Sequence, residues 1–113
     1  MQDNAHRAVF QRLKVELRQL DQEDKAGSES RATVALDQQS VGRLSRMDAL
    51  QQQALAQATA RRRDTRRRRI HAAIARLEEG EFGYCEDCGD TIAPARLDLD
   101  LTAPKCMECA RAG

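Results

Sequence analysis

Two short stretches, Tyr84-Cys85-Glu86-Asp87-Cys88-Gly89 and Cys106-Met107-Glu108-Cys109, decide how this chain is read, because between them they hold all four of its cysteines. The pattern is C-x2-C, 17 residues, then C-x2-C, which is the spacing of a structural zinc site. Each C-x2-C turn aims two thiolates at one point, and the intervening segment brings the second turn opposite the first, as tetrahedral coordination requires. The alternatives are two disulfides or four free thiols. A reducing compartment disfavours the first, and the second leaves the paired spacing unexplained. Gly89 suits a knuckle in which the backbone turns sharply and points amides at the sulfurs. With Cys85, Cys88, Cys106 and Cys109 all taken as ligands, no coordination position stays open for water or substrate. One structural Zn2+ is expected, and not a hydrolytic one.

The segment around these turns has few apolar side chains: Phe82, Tyr84, Ile92, Leu97, Leu99, Leu101 and Met107. Such a module depends on metal binding for its folding energy. Working outward, the expected zinc finger covers residues 80–113.

Upstream the pattern is helical. Ala, Glu, Lys, Leu and Arg supply 56 of the 113 residues, while Leu, Ile, Val and Phe number 20 with no Trp, a balance that excludes a β-sandwich and a single large core. Val9, Leu13, Leu17 and Leu20, with Phe10 beside them, predict an amphipathic helix over about 4–26 that ends near Gly27. Residues 27–42 mix Gly, Ser, Thr and β-branched residues and read as a loop or tip. Leu44, Met47, Leu50, Leu55 and Ala58, then Ile70, Ala73, Ile74 and Leu77, predict a second helix over about 43–79 that stops at Gly80. Ser45-Arg46-Met47-Asp48 matches a loose capping box, with an ordinary mid-helix Ser and Asp as the competing reading. Each helix has one apolar stripe to bury, and the nearest partner is the other helix in an antiparallel, coiled-coil-like hairpin over residues 1–79. The expected fold is mainly α, a helical hairpin followed by a small zinc finger.

Charge is unevenly spread. Residues 43–77 carry 10 Lys/Arg against 2 acids, and residues 78–113 carry 3 against 9. Seven arginines occupy nine positions in Arg61–Arg69. Arg62, Arg66 and Arg69 lie near the line continued from Ile70 and Leu77, and form the expected basic contact surface. Their stems would cover apolar surface while their guanidinium groups reach acids such as Glu16, Asp21 and Glu23, or an external polyanion. A nucleic acid is one such polyanion, but the run has no stacking aromatic and no base-reading module beyond the zinc motif, so direct nucleic-acid binding is the weaker expectation. A thiol redox or zinc sensor is a further alternative.

No enzyme is expected: His6 and His71 lie within helical segments, far in sequence from any nucleophile, and read as surface or interhelical residues. The sequence has no apolar run long enough for a membrane span, and Met1-Gln2-Asp3-Asn4 lacks the order of a secretory signal, so a cytoplasmic protein without membrane contact is expected.

Taken together, Glu81-Phe82-Gly83-Tyr84-Cys85-Glu86-Asp87-Cys88-Gly89, Ile92, Arg96-Leu97, Thr102-Ala103 and Cys106-Met107-Glu108-Cys109 resemble the four-cysteine zinc finger of the DksA/TraR family of bacterial transcription regulators. The residue-level resemblance covers 80–110, and the preceding helices resemble that family's hairpin in architecture. The resemblance implies binding to RNA polymerase through its secondary channel, with the hairpin tip near the catalytic centre and no DNA contact. It puts the polymerase-binding tip at Asp37, Arg43, Arg46 and Asp48. The acidic string Asp-x-x-Asp-x-Ala of longer members is absent, with Gly42, Ser45 and Met47 at its three places. For guanosine tetraphosphate, which longer members hold with basic residues, Arg69 matches one position while Asp100 and Ala110 stand where other cations are expected.

Overall fold

The structure is a computed structural model; it describes the backbone over residues 2–41 and 46–112, and side chains over 4–27 and 46–112. Among the described residues four helices follow one another: α1 (Gln2–Val41), α2 (Arg46–Glu79), α3 (Pro94–Leu99) and α4 (Met107–Ala112). Tyr84 and Thr91 form an isolated antiparallel bridge. Among the described residues no helix is long and apolar enough to cross a membrane.

α1 corrects one expectation. It continues through Gly27 and the whole of 28–41, where a loop was expected. The reason lies in cooperativity. A helix already nucleated over 4–26 extends one residue at a time, a lone glycine costs only about 1 kcal/mol against Ala, and 27–41 contains Ala, Leu, Gln, Glu and Arg but no proline. Arg43, Leu44 and the capping-box Ser45 lie outside the described residues, as does the side chain of Asp37.

The chain forms two compact units, Met1–Glu16 with Arg68–Gly113, and Leu17–Arg67. The first holds most of the core. Leu13, Ile70, Ala73 and Ile74 are buried where α1 and α2 pack, and Cys85, Ile92 and Ala103 are buried in the metal-binding segment. α2 stops as expected at Gly80, which takes φ 76°. The Glu81 N–H donates to the Arg76 carbonyl at 2.8 Å and the Gly80 N–H to the Leu77 carbonyl at 3.3 Å. These paired bonds satisfy carbonyls that the helix end would otherwise orphan, and they need a residue free to adopt positive φ. His6 lies edge-on to Phe82, ring centroids 5.9 Å apart.

The second unit has a different seam. Asp24 accepts hydrogen bonds from Arg63 Nε through Oδ1 and from Arg67 Nη2 through Oδ2. Arg67 also reaches Asp21 at 3.1 Å, Asp64 at 2.6 Å and the Leu20 carbonyl at 3.3 Å. Rising numbers on α1 meet falling numbers on α2, so the helices run antiparallel. Met47, Leu50 and Leu55, expected to pack, stand 69%, 60% and 66% exposed. Ala58, also expected there, is half-buried, as are Ala56 and Ala60. Ala56, Ala60, Arg63, Arg67, Ile70, Ile74 and Leu77 follow alternating steps of four and three, the spacing of a helix seam.

That spacing also corrects the arginine line. Arg63 and Arg67 are half-buried, whereas Arg62 and Arg69 are exposed; Arg66, half-buried, is the one expected seam arginine near the interface. Stepping back seven residues from Ile70 drifts only about 20° and reaches Arg63, whereas stepping back eight drifts about 80° and reaches Arg62. The line therefore passes through Arg63, with Arg66 and Arg67 on either side of it.

Candidate metal centre

The four cysteines meet. Their Sγ atoms all lie within 4.8 Å of one another, and Cys88 Sγ is 3.8 Å from Cys106 Sγ. None of the four forms a disulfide. A zinc–sulfur bond of about 2.3 Å in a regular tetrahedron puts sulfurs about 3.8 Å apart. The donor set therefore fits a zinc ion.

Each turn is shaped by its sequence. In the first, the Gly89 N–H donates to the Cys85 carbonyl at 2.9 Å and the Cys85 N–H to the Asp90 carbonyl at 2.7 Å. Gly89 takes φ 78°, a conformation that costs a residue with a Cβ about 1–2 kcal/mol. The second turn lacks a glycine because it is built otherwise: Cys106 immediately precedes α4, the Ala110 N–H donates to its carbonyl at 2.9 Å, and Cys109 projects from the first turn of that short helix. Right-handed helical backbone needs no positive φ.

Electrostatics favour a cation here. Backbone N–H groups of Cys88 and Cys106 pull the Cys85 pKa down to about 6. At Cys88 the backbone N–H of Asp90 acts in the same direction, but crowding by the Cys85 sulfur and burial prevail and raise that thiol. Cys109 is pushed well above its ordinary value by the sulfurs of Cys106, Cys85 and Cys88. Four sulfurs this close cannot all ionise alone, and a dication relieves their repulsion.

Around the sulfurs lies a supporting frame that the sequence reading missed. Asp100 Oδ1 accepts from the Thr102 N–H at 3.0 Å and from its hydroxyl at 2.7 Å, which shapes the turn into the second cysteine pair. Arg76, on the last turn of α2, donates to the Thr102 carbonyl at 3.3 Å. Arg96 Nε donates to the Lys105 carbonyl at 2.9 Å. Lys105 Nζ lies 3.1 Å from Asp87 Oδ2, and that carboxylate raises the lysine pKa. Arg96 and Thr102 belong to the stretch that carries the family resemblance, but no motif pairs these residues with their partners, and Lys105 is marked in the sequence only by adjacency to Cys106.

Of the other expected site residues, Arg46 and Asp48 are exposed in the first turn of α2. Arg62 and Arg69 are exposed farther along the same helix.

The geometry defines a C4 zinc-finger protein carrying a long helical pair. Residues 80–112 match the prokaryotic dksA/traR C4-type zinc finger. The chain is similar to the RNA polymerase-binding transcription factor DksA of Haemophilus influenzae, 38% identical over 52 residues, covering 43% of this chain and 36% of that protein. The same-named protein of Escherichia coli strain K12 is 38% identical over 52 residues, covering 43% and 34%. That of Caulobacter vibrioides is 41% identical over 51 residues, covering 42% and 36%. The matched stretch thus spans about a third of these curated relatives' length. The structure of transcription factor DksA2 from Pseudomonas aeruginosa superposes with a TM-score of 0.73, over 95% of this chain and 81% of that one, at 20% identity. That likeness establishes the shared fold.

Proposed function

We propose that this protein is a transcription regulator that binds bacterial RNA polymerase, reaches into its secondary channel with the α1–α2 connection, and modulates initiation without contacting DNA. The observation that carries this reading is the pairing of a DksA/TraR zinc finger with a fold that matches DksA2 over 95% of the chain. The relatives named above are polymerase-binding transcription factors. Zinc here holds the module together and catalyses nothing, and the role is a non-enzymatic one exercised in the cytoplasm.

In this reading Asp37, Arg43, Arg46 and Asp48 face the polymerase. The test is association of the zinc-loaded full chain with purified bacterial polymerase at low salt, and its displacement by a known channel-binding factor. No association at low salt would end the proposal. Arg46→Ala and Asp48→Asn should leave the helical spectrum unchanged yet reduce the effect on promoter complexes; full activity in both would remove these residues from the tip. Guanosine tetraphosphate is a poorer fit. Arg69 is available, but Asp100 stands at another expected cation position, and its carboxylate is committed to Thr102.

A second reading rests on the exposure of Arg61, Arg62 and Arg69 on α2, which offers phosphate contacts to a nucleic acid. Its mark is affinity that falls with salt.

A further inference from the structure

The first cysteine turn, Cys85–Cys88, and the segment entering the second, Pro104–Cys106, are joined by contacts that involve no sulfur. The Glu86 N–H donates to the Pro104 carbonyl at 2.9 Å. Next to it, Lys105 Nζ lies 3.1 Å from Asp87 Oδ2. Asp87 is the residue between Cys85 and Cys88 on the Cys88 side, and Lys105 immediately precedes Cys106. These flank the two sulfurs, Cys88 and Cys106, that lie 3.8 Å apart. Lys105 is itself held from behind, because Arg96 Nε donates to its carbonyl at 2.9 Å and Arg96 Nη1 lies 3.6 Å from Met107 Sδ.

The charge setting gives this pair added weight. A zinc ion held by four thiolates carries a net charge of −2. Glu86, Asp87, Asp90 and Glu108 add acids in the same two turns and beside them. Without a cation nearby, these groups would repel one another and spread the turns. Lys105 brings one to the point where the two turns approach.

We propose that Lys105 and Asp87 form an ionic latch across the two C-x2-C turns, and that Lys105 acts through Asp87 as a positioning residue that slows escape of zinc. The backbone bond from Glu86 to Pro104 aligns the turns, the latch resists their separation, and the metal is retained longer than the four sulfurs alone would hold it. The function assigned is retention under competition from other zinc ligands, separate from polymerase binding.

The experiment follows transfer of zinc from the intact, zinc-loaded chain to the chromogenic chelator 4-(2-pyridylazo)resorcinol, with circular dichroism checking that each variant keeps its helices. Lys105→Met and Asp87→Asn should each speed zinc transfer about threefold to fivefold at low salt, the range open to a partly exposed ion pair. The exchanged pair, Asp87→Lys with Lys105→Asp, should return the rate to within about twofold of the unaltered chain, and the differences should shrink at about 1 M salt, where screening reaches a few ångströms. A merely structural loss of side-chain packing would not be rescued by exchange of the charges. Unchanged transfer in Lys105→Met, slower transfer in Asp87→Asn, or an exchanged pair as leaky as either single variant would overturn the latch.

Discussion

Asp24→Asn tests the ionic layer between α1 and α2. Asp24 uses one carboxylate oxygen for Arg63 and the other for Arg67. The Arg63 side chain is only 13% exposed, and Asp24 is 37% exposed. Asparagine keeps the shape but loses the charge and one acceptor, so a largely buried guanidinium is left facing a neutral group. Breaking a fully buried pair costs about 3–5 kcal/mol. Partial exposure of Asp24 lets water screen the loss, which brings the expected cost to about 2 kcal/mol. With an unfolding entropy of about 2.1 cal/mol/K per residue, that amounts to a fall in Tm of about 8 °C for a chain of this size. Asp21, at 72% exposure on the same Arg67, is the internal control: Asp21→Asn should cost at most about 0.5 kcal/mol. The assay is thermal melting of the zinc-loaded chain followed by circular dichroism. Equal costs at Asp21 and Asp24, or an Asp24→Asn variant within about 0.5 kcal/mol of the parent, would refute the reasoning. Replacing the group together, Asp24→Leu with Arg63→Met and Arg67→Met, should come within about 1 kcal/mol of the parent or exceed it, because the expense lies in unpaired charge and not in the absence of charge.

Chelation of zinc should abolish amide protection over 80–112 while most of the helical signal persists, since that segment depends on the metal to order it; protection surviving metal removal would contradict this. Cys88→Ser should lose zinc at lower chelator concentration. Gly80→Ala should cost about 1–2 kcal/mol by denaturation, entirely from backbone conformation, because a Cβ at Gly80 meets nothing within 4 Å. Ile70→Ala, at a fully buried site, should cost about 2–5 kcal/mol, whereas Leu50→Ala, 60% exposed, should stay within about 0.5 kcal/mol.

The metal site was the most legible part of the sequence because its chemistry is carried by residue type and spacing, which do not depend on packing. The stop at Gly80 was legible for the same reason, since only local backbone geometry is involved. Two features were harder. Continuation of α1 through Gly27 and Ser28-Glu29-Ser30 is decided by extension of a helix nucleated elsewhere, and local composition argues weakly against it. Arg62 and Arg69 were misplaced because apolar periodicity vanishes where Arg63 and Arg67 replace hydrophobic side chains on the seam. There the pattern resides in the acids of the other helix, Asp21 and Asp24, and a chain read linearly does not pair them. The frame of Arg76, Arg96 and Lys105 was illegible because each contact joins a side chain to a backbone carbonyl or to a side chain that only the fold brings near.

The division of the arginine run carries a quantitative consequence for any polyanion the protein meets. Read as sequence, Arg61–Arg69 offers seven cations. In the fold Arg63 and Arg67 are engaged by Asp24, and Arg67 also by Asp21 and Asp64. Arg66 and Arg68 are engaged too, which leaves Arg61, Arg62 and Arg69 as the outward contribution. Duplex DNA binding through three phosphate contacts should show a salt slope of about −2.7 and lose about 40-fold in affinity between 50 and 200 mM salt. Seven contacts would give a slope of about −6.3 and a loss of several thousand-fold. Fluorescence anisotropy with a labelled duplex across that salt range distinguishes the two. A slope near −6 would mean that the interhelical ion pairs open to release their arginines, and the structural assignment of those side chains to the seam would have to be abandoned.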